Sequence, residues 1–105
     1  MKNIDEKYLL DEIVKVVTEF LNPERIILFG SRAKGTKEKY SDFDIAVEGA
    51  IMDIRTERKI KEILDDKLKA YTVEIVNLDS VDSRFREIVL KTGRVLYERR
   101  SKVLS

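Results

Sequence analysis

Arg25-Ile26-Ile27-Leu28-Phe29-Gly30-Ser31 and, after ten intervening residues, Asp42-Phe43-Asp44-Ile45-Ala46-Val47-Glu48 are the two stretches that decide the fold. The first is a short apolar run closed by glycine. It follows the Asn22-Pro23 break too closely to make a helix, so it reads as a buried strand. The second alternates strictly, with Phe43, Ile45 and Val47 on one side and Asp42, Asp44, Ala46 and Glu48 on the other, the pattern of a half-buried strand.

Outward from these strands the chain is compact throughout. Towards the amino terminus, Leu9, Leu10, Ile13, Val14, Val16, Val17, Phe20 and Leu21 follow helical spacing, and Asn3 with Glu6 resembles a capping box. A short helix is expected from Ser31 and a polar loop from Lys34 to Ser41. Beyond the second strand, Asp53 to Lys69 is expected to be helical, with Ile54, Ile60, Ile63, Leu64 and Leu68 inward and Glu57 four residues before Lys61. Tyr71 to Asn77 returns to strand. A last helix covers Val81 to Lys91 with Phe85, Ile88 and Val89 inward and Gly93 as its cap, and Val95 to Tyr97 adds a short strand. The expected order αβαβαβα specifies an α/β (α+β) fold, a small mixed sheet flanked by helices, in one domain covering 1–105. The helical crossover calls for parallel pairing of the second and third strands. Antiparallel pairing of the first two brings Gly30 beside Asp42.

That pairing assembles chemistry. Asp42 and Asp44 leave one face of a strand with Cα atoms about 6.5 Å apart, and Glu74 on the adjacent strand can share the face. At about 5 Å and an effective dielectric near 20, each like-charged pair costs about 3 kcal/mol, so the patch calls for cations. Composition narrows the choice. The 105 residues contain no cysteine and no histidine, which excludes disulfides, thiolate zinc sites and Ser-His or Cys-His nucleophilic pairs. A protein-bound metal must therefore take oxygen ligands, and Mg2+ does so while leaving positions for substrate phosphates. Two such ions about 3.5–4 Å apart can clamp a phosphoryl displacement. Gly30 and Ser31 lead from a buried strand into a helix start, where backbone amides and a hydroxyl suit phosphate. Arg32, Lys34, Lys37 and Lys39 add positive potential. The site so read would hold Mg-NTP.

The 21 basic and 20 acidic side chains nearly balance, so there is no strong nucleic-acid signal. Apolar runs of four residues at most leave nothing to span a membrane, and the amino terminus lacks a signal-peptide apolar region, so a cytoplasmic protein is expected. Gly30 to Lys37 comes close to a P-loop but fails on order, because its lysine follows the threonine instead of the second glycine. Taken alone, the aspartate pair reads more readily as a solvated strand face, Lys34 to Lys39 as a solvated loop, and Tyr40, Tyr71 and Tyr97 as half-buried packing; the Gly30-Ser31 spacing is what tips the aspartates towards a site. The Arg99, Arg100 and Lys102 tail reads as a frayed terminus.

Leu28-Phe29-Gly30-Ser31-Arg32-Ala33-Lys34-Gly35 followed by Ser41-Asp42-Phe43-Asp44-Ile45-Ala46-Val47 resembles the signature of the DNA polymerase beta-like nucleotidyltransferase superfamily. Glycine-serine, ten residues, then aspartate-x-aspartate arises by chance in about one such chain in a thousand. In length the chain resembles the minimal nucleotidyltransferases, the antitoxin partners of HEPN ribonuclease toxins. The resemblance implies the polymerase beta-like fold, two Mg2+ ions held by Asp42, Asp44 and a third carboxylate at Glu74, and nucleotide phosphates held by Gly30 and Ser31; Arg32, by its charge and place next to Ser31, is expected to bind the nucleotide too. It further implies transfer of AMP from ATP to a tyrosine hydroxyl of a HEPN toxin in a hetero-oligomer. Glu74 departs from the commoner aspartate. Two alternatives stand beside this reading: an antitoxin that only binds its partner, and nucleotidyl transfer to a small molecule or RNA. Larger relatives carry an extra domain for the acceptor, so here the acceptor surface is expected from another protein or from a second copy of this chain.

Overall fold

A computed structural model describes residues 6–34 and 42–99, with the side chains of Ser31 and Lys34 excepted. Asn3, Gly35 to Ser41 with Lys37, Lys39 and Tyr40, and Arg100 and Lys102 lie outside the described residues. The elements are α1 (Glu6–Phe20), β1 (Arg25–Phe29), α2 (Ser31–Lys34), β2 (Phe43–Glu48), α3 (Ile54–Leu68), β3 (Val73–Asn77), α4 (Ser83–Thr92) and β4 (Arg94–Glu98). Every expected element is present. The last strand extends the order to αβαβαβαβ.

The four strands form one mixed sheet in the order β3-β2-β1-β4. As the crossover through α3 requires, β2 and β3 are parallel, whereas β1 is antiparallel to both β2 and β4. One face is closed by α1 and α3. There Leu9, Leu10, Ile13, Val16 and Val17 of α1 and Ile60, Leu64 and Leu68 of α3 bury against Ile26, Leu28, Phe43, Ile45, Val47, Val73 and Ile75. At roughly 1.5–3 kcal/mol for each fully buried aliphatic side chain, this face supplies most of the apolar stabilisation. The opposite face carries a smaller cluster of Ile27, Ala46, Leu78 and Val89, with Phe29, Val81 and Phe85 packed against it. The Phe29 and Phe85 rings meet edge to face, with centroids 5.6 Å apart.

This second cluster corrects the reading of β2 as half-buried. Ala46 and Glu48 are buried as well, because α4 lies over their face, and only the Asp44 end of that row stays partly open. Two inward assignments also change. Ile54 is exposed because it precedes Ile60 by six residues, about 240° round the helix from the Ile60-Leu64-Leu68 stripe. Ile88 is exposed because α4 turns Arg86 inward as well as Phe85 and Val89, which rotates the stripe away from it.

Side chains start both long crossover helices. Asp53 accepts from the Thr56 amide at 2.8 Å and Asp82 from the Phe85 amide at 3.2 Å. Gly93 caps α4 as expected, donating to Val89 O at 2.8 Å, but from extended backbone. Its reason to be glycine is space: a Cβ there would lie 2.5 Å from Ile27 Cγ2 and 2.6 Å from Val89 O. Among the described residues no helix is long and apolar enough to cross a membrane.

Candidate active site

Five expected site residues converge at one end of the sheet by backbone placement. Phe29 pairs with Asp44 in the β1–β2 register, which puts Gly30 and Ser31 at the start of β2. Asp44 pairs with Glu74 in the β2–β3 register, so both side chains leave the same face. Asp42 lies immediately before β2 and is exposed.

Gly30 is held in a left-handed conformation, with φ +79°. A Cβ at this position would stand 2.5 Å from Asp44 Oδ2 and 3.3 Å from its Cγ. The turn therefore requires glycine twice over, for its backbone angle and because the Asp44 carboxylate lies directly against it. No other residue lets the turn and this carboxylate stand so close.

The electrostatics are unfavourable as they stand. Burial holds the Asp44 carboxyl above its ordinary pKa, and the charges of Asp42 and Glu74 push it the same way. Among the described residues no cation pairs with Asp44. Glu74 is more than half exposed and lies 3.6 Å from Lys61 Nζ, which also donates to Val73 O at 3.0 Å. Lys61 thus turns to Glu74 and not to Glu57, the partner its helical spacing suggested. As the side chains stand, no three acidic groups among the described residues converge tightly enough to enclose a metal ion. The donor set itself suits magnesium: all oxygen, anionic, and short of positive charge.

Arg32 is not on this side of the sheet. Its side chain is buried, with the guanidinium carbon 4.0 Å above the centroid of the Phe43 ring and Nη1 3.2 Å from Glu6 Oε2. Phe43 points into the α1/α3 core, the face opposite Asp44. The geometry therefore turns the Arg32 side chain into the α1/α3 face, away from the Asp44 carboxylate and not towards the side where a nucleotide contact was expected of it. Charge alone suggested that role, and nothing in the local pattern marks the inward turn. A second cluster went unread: Glu48 is buried between Arg25, at 2.6 Å, and Arg86, at 2.6 Å. Its shared parity with Asp44 was the available signal.

Comparison with known proteins agrees with this geometry. The family described as Polymerase beta, Nucleotidyltransferase matches residues 11–102. A probable protein adenylyltransferase MntA of Haemophilus influenzae is 31% identical over 93 residues, covering 87% of this chain and 82% of that protein. A crystal structure of a toxin-antitoxin with AMP-PNP superposes with a TM-score of 0.75 at 28% identity, covering 87% of this chain and 74% of that one. An MNT antitoxin in complex with a tri-AMPylated HEPN toxin of Shewanella oneidensis shares the fold, with a TM-score of 0.72 at 24% identity over 90% of this chain and 74% of that one. With its glycine turn set against an aspartate-x-aspartate strand and the match running nearly end to end, this chain belongs to the polymerase beta-type nucleotidyltransferase family.

Proposed function

We propose that this chain is a cytoplasmic, Mg2+-dependent protein adenylyltransferase, a single nucleotidyltransferase domain that moves AMP from ATP to a tyrosine hydroxyl of a HEPN-type toxin and so acts as its antitoxin. The observation that carries the reading is the contact of the Gly30 turn with Asp44, beside Asp42 and in register with Glu74. The adenylyltransferase relative and the nucleotide-bound toxin-antitoxin structure support the substrate and partner.

Gly30 and Ser31 would take the nucleotide phosphates, and Asp42, Asp44 and Glu74 would hold magnesium. Bound there, magnesium supplies Lewis-acid stabilisation of charge on the phosphoryl and pyrophosphate oxygens. The chain's own residues perform the rest. Asp42, immediately before β2, and Asp44 within it would present their charges together. The acceptor oxygen bonds to the α-phosphorus as the bond to pyrophosphate breaks, and the hydroxyl proton passes to Glu74. A tyrosine of pKa about 10 needs such a base near neutral pH, and the exposed Glu74 carboxylate is open to an incoming side chain.

The test is incubation of the chain with its co-purified partner and Mg-ATP, read by intact mass and peptide mapping. AMP increments on a partner tyrosine are expected. An unmodified partner that is nonetheless inhibited would replace catalysis with simple binding, and label on RNA or a small molecule would replace the acceptor.

A further inference from the structure

We infer that Arg32 is a positioning residue: stacked on Phe43 and paired with Glu6 on the far face of the sheet, it fixes the Gly30-Ser31 turn against the strand that carries Asp42 and Asp44. This rests on the transferase reading above and explains what the buried cation does for it.

Each half of the site sends one neighbour into the same cluster. Arg32 follows Ser31 directly, and Phe43 stands between Asp42 and Asp44. Tyr71, three residues before Glu74, completes the set. The guanidinium carbon is 4.0 Å from the Phe43 centroid and 5.5 Å from that of Tyr71, and the two rings lie 5.8 Å apart. Arg32 Nη1 donates to Glu6 Oε2 at 3.2 Å in the first turn of α1. One side chain thereby joins α2, β2, the approach to β3 and α1. Phe43 is wholly buried and Arg32 is 6% exposed, so neither can shift without disturbing the core. A planar guanidinium stacks and donates at once, which a lysine ammonium cannot do. Because Asp42, Phe43 and Asp44 share one stretch of backbone, fixing the ring from below fixes the two carboxylates above. A displacement of about 1 Å at such a site costs about a hundredfold in turnover.

Arg32→Met retains an unbranched stem but removes the charge and the donors; Arg32→Lys retains the charge, and Glu6→Gln is the milder variant should the first fail to fold. Amide hydrogen exchange is measured by mass spectrometry on the full chain without nucleotide, and kcat and KM for Mg-ATP are measured with the partner. In Arg32→Met, exchange over 28–33 and 42–45 should quicken about tenfold while α3 and β4 stay unchanged. Turnover should fall about a hundredfold with KM altered less than about threefold. Arg32→Lys should recover part of both, and Glu6→Gln should shift both in the same direction by less. Unchanged exchange over 28–33 would overturn the inference. So would a raised KM with intact kcat, which marks a direct phosphate contact, or uniform acceleration through α3, which marks a merely structural role. If the wild-type chain transfers no AMP, the transferase reading falls, while the exchange measurement still decides whether Arg32 holds the turn.

Discussion

Asp44 and Glu48 leave the same face of β2 four residues apart, about 13 Å along the strand, and the chain treats them in opposite ways. Glu48 is buried and matched: Arg25 Nη2 reaches Oε1 at 2.6 Å and Arg86 Nη2 reaches Oε2 at 2.6 Å. Asp44, also partly buried, faces two further acids, which together with burial hold its pKa up. A fold able to place two arginines on one carboxylate could neutralise the other as well. That it surrounds Asp44 with negative charge and a glycine turn is what the proposed cation and anionic substrate would require of this end of the strand, whereas the paired arginines serve stability at the other.

The sharpest break of the comparison is removal of each carboxylate in turn. Asp44→Ala, and likewise Asp42→Ala, should bring transfer to background by taking away an oxygen donor proposed to hold magnesium, with the folded state intact by circular dichroism. Glu48→Ala should do the reverse. It leaves Arg25 and Arg86 without their shared partner, and, discounting for their one-third exposure, should cost about 2–4 kcal/mol in denaturant unfolding. Turnover per folded molecule should stay near wild type. Equal loss of activity in both variants at a temperature where both are folded would erase the distinction.

Gly30→Ala should sharpen it from the other side of the site. The new Cβ meets Asp44 Oδ2 and sits at a φ that alanine rarely adopts, so the turn and the carboxylate must part. A loss of about a hundredfold in kcat/KM is expected, together with about 1–2 kcal/mol of stability. Wild-type kinetics would show that the turn and Asp44 need not touch.

Much of the backbone placement at this end of the sheet was legible in the sequence. Strand parity put Asp42 and Asp44 together, and the crossover length implied the parallel β2–β3 pairing that sets Glu74 opposite Asp44. Local pattern could not reveal what covers the second face. The burial of Ala46 and Glu48 depends on where α4 crosses the sheet, a long-range packing fact, and the exposure of Ile88 follows from Arg86 reaching Glu48. Arg32 escaped for a related reason: charge suggests solvent or phosphate, whereas an arginine between two rings and a glutamate is stable in the core.

A smaller effect should appear in metal-free buffer. Asp44→Asn keeps the shape of the side chain and removes its charge, so it relieves repulsion from Asp42 and Glu74. Its unfolding midpoint at pH 7 should exceed that of the wild type, whereas Glu48→Gln, which strips the charge that two arginines share, should melt lower. Calorimetry on the two variants reads the contrast directly, and a lower midpoint for Asp44→Asn would mean that its charge is compensated after all.

The smallest effect belongs to a carboxylate settled in a third way, by backbone. Asp53 is exposed at the start of α3, and the Thr56 amide donates to it at 2.8 Å; that bond, first among several causes, holds its pKa below the ordinary aspartate value. A carboxyl whose folded pKa is lowered stabilises the fold fully above its unfolded value of about 3.9 and loses that contribution as pH falls through the lowered folded value. Asp53→Ala should therefore melt below the wild type at pH 7, and the gap should narrow as pH falls below about 3.9 and nearly close once the folded carboxyl is protonated. Raised salt should narrow it only slightly, because a hydrogen bond and not a distant charge leads the shift. Transfer should be unaffected, since Asp53 lies beyond the end of β2 remote from Asp44. Thermal melts of both proteins from pH 2 to pH 7 check the sign, and a gap that widens towards low pH would show that the Asp53 carboxylate is a cost to the helix and not its cap.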